Sequence, residues 1–525
     1  MNKQPVRWWP AISTVVLAIV ALTLIWALPE LSRQQRVMRT GSTVVISGFL
    51  LLLWLLLFSR IAWRTRVAIV SLGVLCLAVG AGTFRIRGVN GDLLPILEPR
   101  WRGERTFAEA KSARTANASN IVTTADFPQF YGPTRNAVLE GPKLETNWTT
   151  HPPKILWKQT VGAGWSGFAV KEGLAITQEQ RGEQEYVVCY EMISGRAVRS
   201  HSDNARYATT IAGEGPRATP SIHEERVYTF GGTGILNCLD LRSGKVVWTV
   251  DCAKAQGSKV PDWGYASSPL VVDDQVIVSV GGKNGSLVSY SARDGKLLWA
   301  AGKGDADYSS PTEATLLGVR QIIQFNTAGV SGYALDGKVL WNHPWPGGHP
   351  HVTAPVVIST NQVLISSGYG TGSELVRVDR SSNQIWSVTR EWKSMSLKSK
   401  FGPIFVKDDY IYGLDDGIFT CVALKTGQRL WKDGRYGHGQ GLLVAGIILL
   451  TSEKGEVVLI EPNPEKLVEI GRFQVFSDKT WNPPALAGEY LLMRNDKEAA
   501  CLQLATRPQF ARNVAVSFAN LLSHR

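Results

Sequence analysis

Nowhere in this 525-residue sequence do two cysteines stand three apart, and no C-x-x-C-H run occurs. That excludes a covalently attached c-type haem and the common cysteine clamps for zinc. Ser-His-Asp spacings and phosphate-binding glycine loops are missing too. GGTG (231–234) and GGKNG (281–285) fall where strands turn, so they are hairpin turns rather than nucleotide loops. Charged residues are sparse at 19%, and the net charge of +12 is lopsided. Residues 1–105 hold thirteen Lys or Arg against four Asp or Glu, which leaves only +3 for the remaining chain. A basic excess confined to the flanks of apolar runs gives a nucleic-acid partner no support.

Apolar residues are plentiful at 44%, with 18 Trp and 51 Gly, a composition that is neither disordered nor fibrous. Three runs stand out near the start: WWPAISTVVLAIVALTLIWAL, VVISGFLLLLWLLLF and VAIVSLGVLCLAVGAGTF. They predict membrane-spanning helices over about 8–28, 43–60 and 66–84, with Trp8, Trp9, Trp54, Trp63 and Trp101 as interfacial aromatics. The first run has a charged start like a signal peptide. Two more runs follow and no A-x-A cleavage site is evident, so a three-helix anchor over 1–105 in the lipid bilayer is expected. Three spans with the N-terminus inside put the rest of the chain outside the cytoplasm. Lys3, Arg7, Arg60, Arg64 and Arg66 on one side face as many cations on the other, so charge alone does not set the orientation.

Residues 106–125 are small and polar and read as a linker. From Asp126 the chain repeats. LNCLDLRSGKVVW, LVSYSARDGKLLW, VSGYALDGKVLW, LVRVDRSSNQIW and FTCVALKTGQRLW each join an alternating strand to a second one ending in Trp, across a Gly or Asn turn. RATP, ASSP, YSSP, VTAP, KFGP and WNPP open further strand pairs, a position that tolerates proline. Four strands per unit make a propeller blade. Counting ends at Trp157, near Arg199, Trp248, Trp299, Trp341, Trp386, Trp431 and near Ile470 gives eight. The last unit has three strands and Trp157 has no blade before it, so the strand near Trp157 is expected to close the ring over 126–505. Residues 506–525 form a tail.

These hairpins and proline starts resemble the pyrroloquinoline-quinone-type (PQQ-like) β-propeller repeats of bacterial quinoprotein dehydrogenases and of the propeller subunit of the outer-membrane protein assembly machinery. The expected fold is therefore all-β: an eight-bladed propeller of four-stranded antiparallel blades behind a helical anchor. The resemblance implies a bacterial inner-membrane protein with its propeller in the periplasm. It offers two functions. One is a binding or scaffolding module; the other is a PQQ-dependent dehydrogenase that oxidises an alcohol or sugar and passes electrons to membrane quinone, with PQQ and Ca²⁺ as cofactors. Such dehydrogenases typically carry adjacent cysteines and a calcium cage, and this sequence has no Cys-Cys pair. The module reading ranks first.

In a propeller, connections between blades converge on the axis. They bring Arg206, Arg217, Lys398, Lys400, Arg435 and Lys479 toward His351 and His438, toward Trp165, Trp263, Tyr308 and Trp481, and toward Asp307. That set predicts a cationic, aromatic funnel for an anionic small ligand or a protein partner. Cys189, Cys238, Cys421 and Cys501 recur at one strand position, which reads as a small apolar filler rather than a ligand.

Overall fold

The computed structural model describes residues 5–28, 31, 33–101, 107 and 125–507. Most of the expected linker (106–125) and of the tail (506–525) lies outside them. Eight antiparallel sheets follow in order: 169–203, 221–251, 270–301, 312–343, 356–394, 405–435, 440–474 and 485–503. We number them blades 1 to 8. Blade 8 has three strands of its own, and its fourth is Lys154–Thr160, paired so that Cys501 lies opposite Trp157. The ring's two ends thus share one sheet, which leaves no free edge at the join.

Tryptophan marks the outer strands because most of these rings clasp the next blade; Trp341 instead donates to Gln321 Oε1 of its own blade at 2.8 Å. The indole N–H groups of Trp157, Trp248, Trp299, Trp392 and Trp431 donate to carbonyls of Met192, Ala292, Leu335, Leu424 and Asn463, at 2.8–3.1 Å. Four of these rings lie on turn glycines of the neighbouring blade, Gly195, Gly295, Gly337 and Gly427. Each glycine has positive φ, and a Cβ there would strike the indole. The turn therefore needs glycine twice over, for its backbone and for its neighbour.

Blade 5 corrects the expected repeat. Its clasp is Trp392, set opposite Leu375 as Trp248 is opposite Cys238, whereas Trp386 begins the outer strand. The third strand of this blade runs nine residues, Gly372–Arg380, so its turn and the strand after it come later than in the other units. In blade 1 the equivalent residue is Arg199. Its methylenes lie at Gly244, and its guanidinium donates to the Leu241 carbonyl, a long polar side chain doing what indole does elsewhere. Blade 7 has Gly471 there, and Trp148 packs over it.

Two segments outside the blades close the channel. Residues 126–139 cross its interior: Phe127 pairs with Val170 in blade 1, Ile222 of blade 2 donates to Pro128, and Val138–Leu139 adds a parallel strand to blade 7. Arg135, 4% exposed, donates to the carbonyls of Ser268, Pro269 and Pro311 at 2.9–3.1 Å, tying blades 3 and 4 to this segment.

The second closure comes from the N-terminal helices and the hairpin that follows them. Helices α1 (Trp9–Ala27), α2 (Arg33–Leu53, continued by a π-helical turn to Phe58) and α3 (Trp63–Thr83) are each long and apolar enough to cross a membrane. α2 starts at Arg33, ten residues before the expected start at 43, because RQQRVMRTGS is polar yet carries no helix breaker before Gly41. Directly after α3 the chain forms strands β1 (Phe84–Val89) and β2 (Pro95–Pro99). Their tip, VNGDLL, turns with the Asn90 side chain accepting from the Asp92 and Leu94 amides. This tip enters the propeller.

Candidate functional site

Beneath the tip lies a cavity of about 170 Å³. Connections between blades supply its walls: Trp165, Arg217, Trp263, Tyr308, Lys400 and Trp481 from the expected set, with Phe401 and Tyr369 beside them. Phe130 of the crossing segment belongs to its floor, and Asn90, Gly91, Leu93 and Gln34 to its roof. The rings are ordered among themselves. Trp165 and Trp481 stand 5.2 Å apart, and Phe401 meets Trp481 edge-on at 5.2 Å.

The cations of this site touch neutral oxygens and ring faces. Lys479 Nζ sits 4.0 Å from the centre of Trp481 and 4.5 Å from that of Trp165, and donates to the Val89 carbonyl at 2.7 Å. Lys400 Nζ donates at 2.7 Å to both the Gly91 carbonyl and Gln34 Oε1, with Tyr369 at 4.8 Å. Both lysines are more than nine-tenths buried. Burial holds each ammonium down to about 8. Arg217 lies 4.5 Å from the centre of the Tyr207 ring and donates to the carbonyls of Ala212, Gly213 and Gly215; burial lowers it to about 10. Among the described residues no carboxylate lies within ion-pair distance of these three.

His438 lies under the tip, 6% exposed. Burial first, then Lys400 and Arg435, press its imidazole well below the usual range, so it is neutral at pH 7. A Cβ built on Gly91 would lie 2.0 Å from its Cδ2, well inside contact distance.

The other expected residues stand apart from the cavity. Arg206 is on the surface, paired with Glu214 at 3.1 Å and Glu183 at 3.6 Å. Asp307 and His351 form a buried pair, with 2.5 Å between Oδ2 and Nδ1, while His351 Nε2 meets the Pro346 carbonyl at 3.0 Å. That pair braces a connection, with Asp307 Oδ1 also accepting from the His351 and Tyr308 amides. Lys398 is held by Asp415 at 2.5 Å and Asp416 at 3.6 Å. Arg435 is at the rim, 3.4 Å from the Asp416 carbonyl.

Glu453 was not foreseen, yet it organises the rim. Its Oε1 accepts from the Gly91 amide at 2.7 Å and from Trp481 Nε1 at 3.0 Å, and its Oε2 accepts from the His438 amide. It sits in the turn between the second and third strands of blade 7, where SEKG looks like any solvated turn. The β1–β2 tip was missed as well, although its Asn-Gly pair between alternating residues is a hairpin signal.

The family described as outer membrane protein assembly factor BamB matches residues 152–433. A quinohemoprotein alcohol dehydrogenase from Comamonas testosteroni is similar in structure, with a TM-score of 0.54 and 11% identity over 75% of this chain and 82% of that one. Another, ADHIIG from Pseudomonas putida HK5, has a TM-score of 0.50 and 11% identity over 74% and 81%. BamB from Moraxella catarrhalis has a TM-score of 0.49 and 15% identity over 68% and 99%. No curated protein sequence matches the chain. Identities this low speak for the fold alone.

Proposed function

We propose, for a chain that belongs to the outer membrane protein assembly factor BamB family, a binding and scaffolding role on a membrane: a propeller held by three helices, facing the periplasm of a bacterial inner membrane. One observation carries the binding half. Lys400 and Arg217 line an aromatic cavity as desolvated cations with neutral hydrogen-bond partners, and buried charge of one sign favours a ligand of the other. Roofed by the tip and floored by the crossing segment, the cavity therefore suits an anionic small molecule. Relationship to an assembly factor supports protein partners.

The dehydrogenase reading has less behind it. A quinone held with Ca²⁺ needs about six to eight oxygen ligands around the metal. The described cavity residues include no Asp or Glu, and no cluster of three or more His, Cys, Asp or Glu occurs among the described residues. Adjacent cysteines are absent from the sequence. The residues present do not fit that group.

Two assays test the proposal. Purified protein is titrated with an aromatic sulfonate such as anilinonaphthalene sulfonate, following fluorescence, in wild type and Arg217→Gln. Saturable binding weakened by the substitution is expected; equal binding by both would remove the anion site. In parallel, PQQ and Ca²⁺ are added with alcohols or sugars and a redox dye. Cofactor-dependent dye reduction would replace the scaffold by the dehydrogenase.

The orientation is supported by how the helices connect. Arg7 meets Ser59 at one end of the bundle, while Arg33 meets Asp92 of the tip at the other. N-terminus and propeller thus lie at opposite ends of the bundle, which favours an N-terminus inside and a propeller outside. An alkaline phosphatase fused after Arg525 should be active in cells, and an inactive fusion would reverse the orientation.

A further inference from the structure

The β1–β2 hairpin is bound to the propeller as a ligand is bound to a receptor. Two carbonyls of its tip, Val89 and Gly91, are taken by Lys479 and Lys400, and the Gly91 amide is taken by Glu453. Arg87, just before the tip, reaches Asp478 at 2.6 Å and Asp496 at 3.2 Å. Asp92, just after it, pairs with Arg33 of α2 at 2.8 Å. These contacts read main-chain groups and flanking charge. A two-stranded hairpin has little stability of its own in water, and this one leaves Phe84, Ile86 and Leu97 exposed. Its order therefore comes from the surface it occupies.

We infer that the funnel face is a docking surface for a glycine-tipped β-turn preceded by a basic residue, and that its resident occupant is RGVNGD (87–92) of the same chain. The union of anchor and propeller is then non-covalent, independent of the segment that joins them, and it covers the cavity. Gly91 is the selective position. Its backbone lies outside the left-handed region, so nothing in its own conformation demands glycine. What forbids a side chain is His438, which supplies all of the nearest atoms to a Cβ built there.

That gives a sharp test in the full chain, purified in detergent, with a protease site inserted after residue 112. After cleavage the wild-type propeller should co-elute with the helices at the mass of one chain. Gly91→Ala, which drives a methyl into the His438 ring, should let the two halves separate. Adding His438→Ala to it should restore co-elution, and that rescue sets a lost fit apart from a misfolded protein. Separation of the cleaved wild type would overturn the inference. So would retention of the halves by Gly91→Ala. Co-elution at twice the mass would assign the hairpin to a second copy and overturn the intramolecular pairing.

Discussion

Lys400 and Lys479 sit where a charge is costly, and that cost has a sign that pH can read. Burial holds both near 8, whereas an unfolded lysine titrates near its ordinary, higher value. Between those values the unfolded chain keeps protons that the folded chain has shed. Stability from these groups is therefore gained as pH rises through about 8, and the penalty is complete below it. His438 acts in the same direction lower down. Its folded value lies well below the ordinary one, so acidification through the ordinary imidazole range favours the unfolded chain. The double substitution Lys400→Met, Lys479→Met should flatten the rise in melting temperature between pH 7.5 and 9.5 relative to wild type. An unchanged slope would mean that the lysines are not desolvated. At this scale the sequence was informative about type and poor about partners. Lysines and tryptophans on converging connections were readable. That Lys398 is consumed by Asp415, or His351 by Asp307, depends on turns from elsewhere in the chain whose register no repeat reveals.

At the scale of elements, the clasp between blades makes a comparison that the sequence repeat would get backwards. Trp392→Ala removes an indole from Gly427 and its bond to Leu424, and should cost on the order of 3 kcal/mol in chemical denaturation. Trp386→Ala, at the start of the same strand, should cost about 1 kcal/mol or less. Equal costs would undo the assignment of Trp392 as the clasp. The crossing segment gives a second test. Arg135→Ala leaves the Ser268, Pro269 and Pro311 carbonyls without that donor inside the channel and should cost on the order of 3 kcal/mol. If denaturation midpoints stay within error of wild type, the segment is not a brace. Blade count and four-stranded makeup were legible because proline starts and turn glycines recur. The crossing segment and the β1–β2 hairpin were not, since each occurs once and neither shares the repeat's pattern.

On the scale of the whole molecule, the ring is closed by residues more than three hundred positions apart, Trp157 facing Cys501. Blade 8 cannot lose its outer strand without also losing the clasp of Trp157 on blade 1. Trp157→Ala should therefore shift one cooperative transition, seen together in far-ultraviolet circular dichroism and intrinsic fluorescence. Two separated transitions would show that the halves of the ring melt on their own. β1 begins at the residue after α3 ends, with no spacer between them. A body moored on so short a stem does not sweep through the compartment as one on a long tether would. With those helices in a bilayer, it would ride flush with the surface, its axis set by the stem, and would meet other membrane residents by sliding in two dimensions. Visitors from solution would approach from the opposite face.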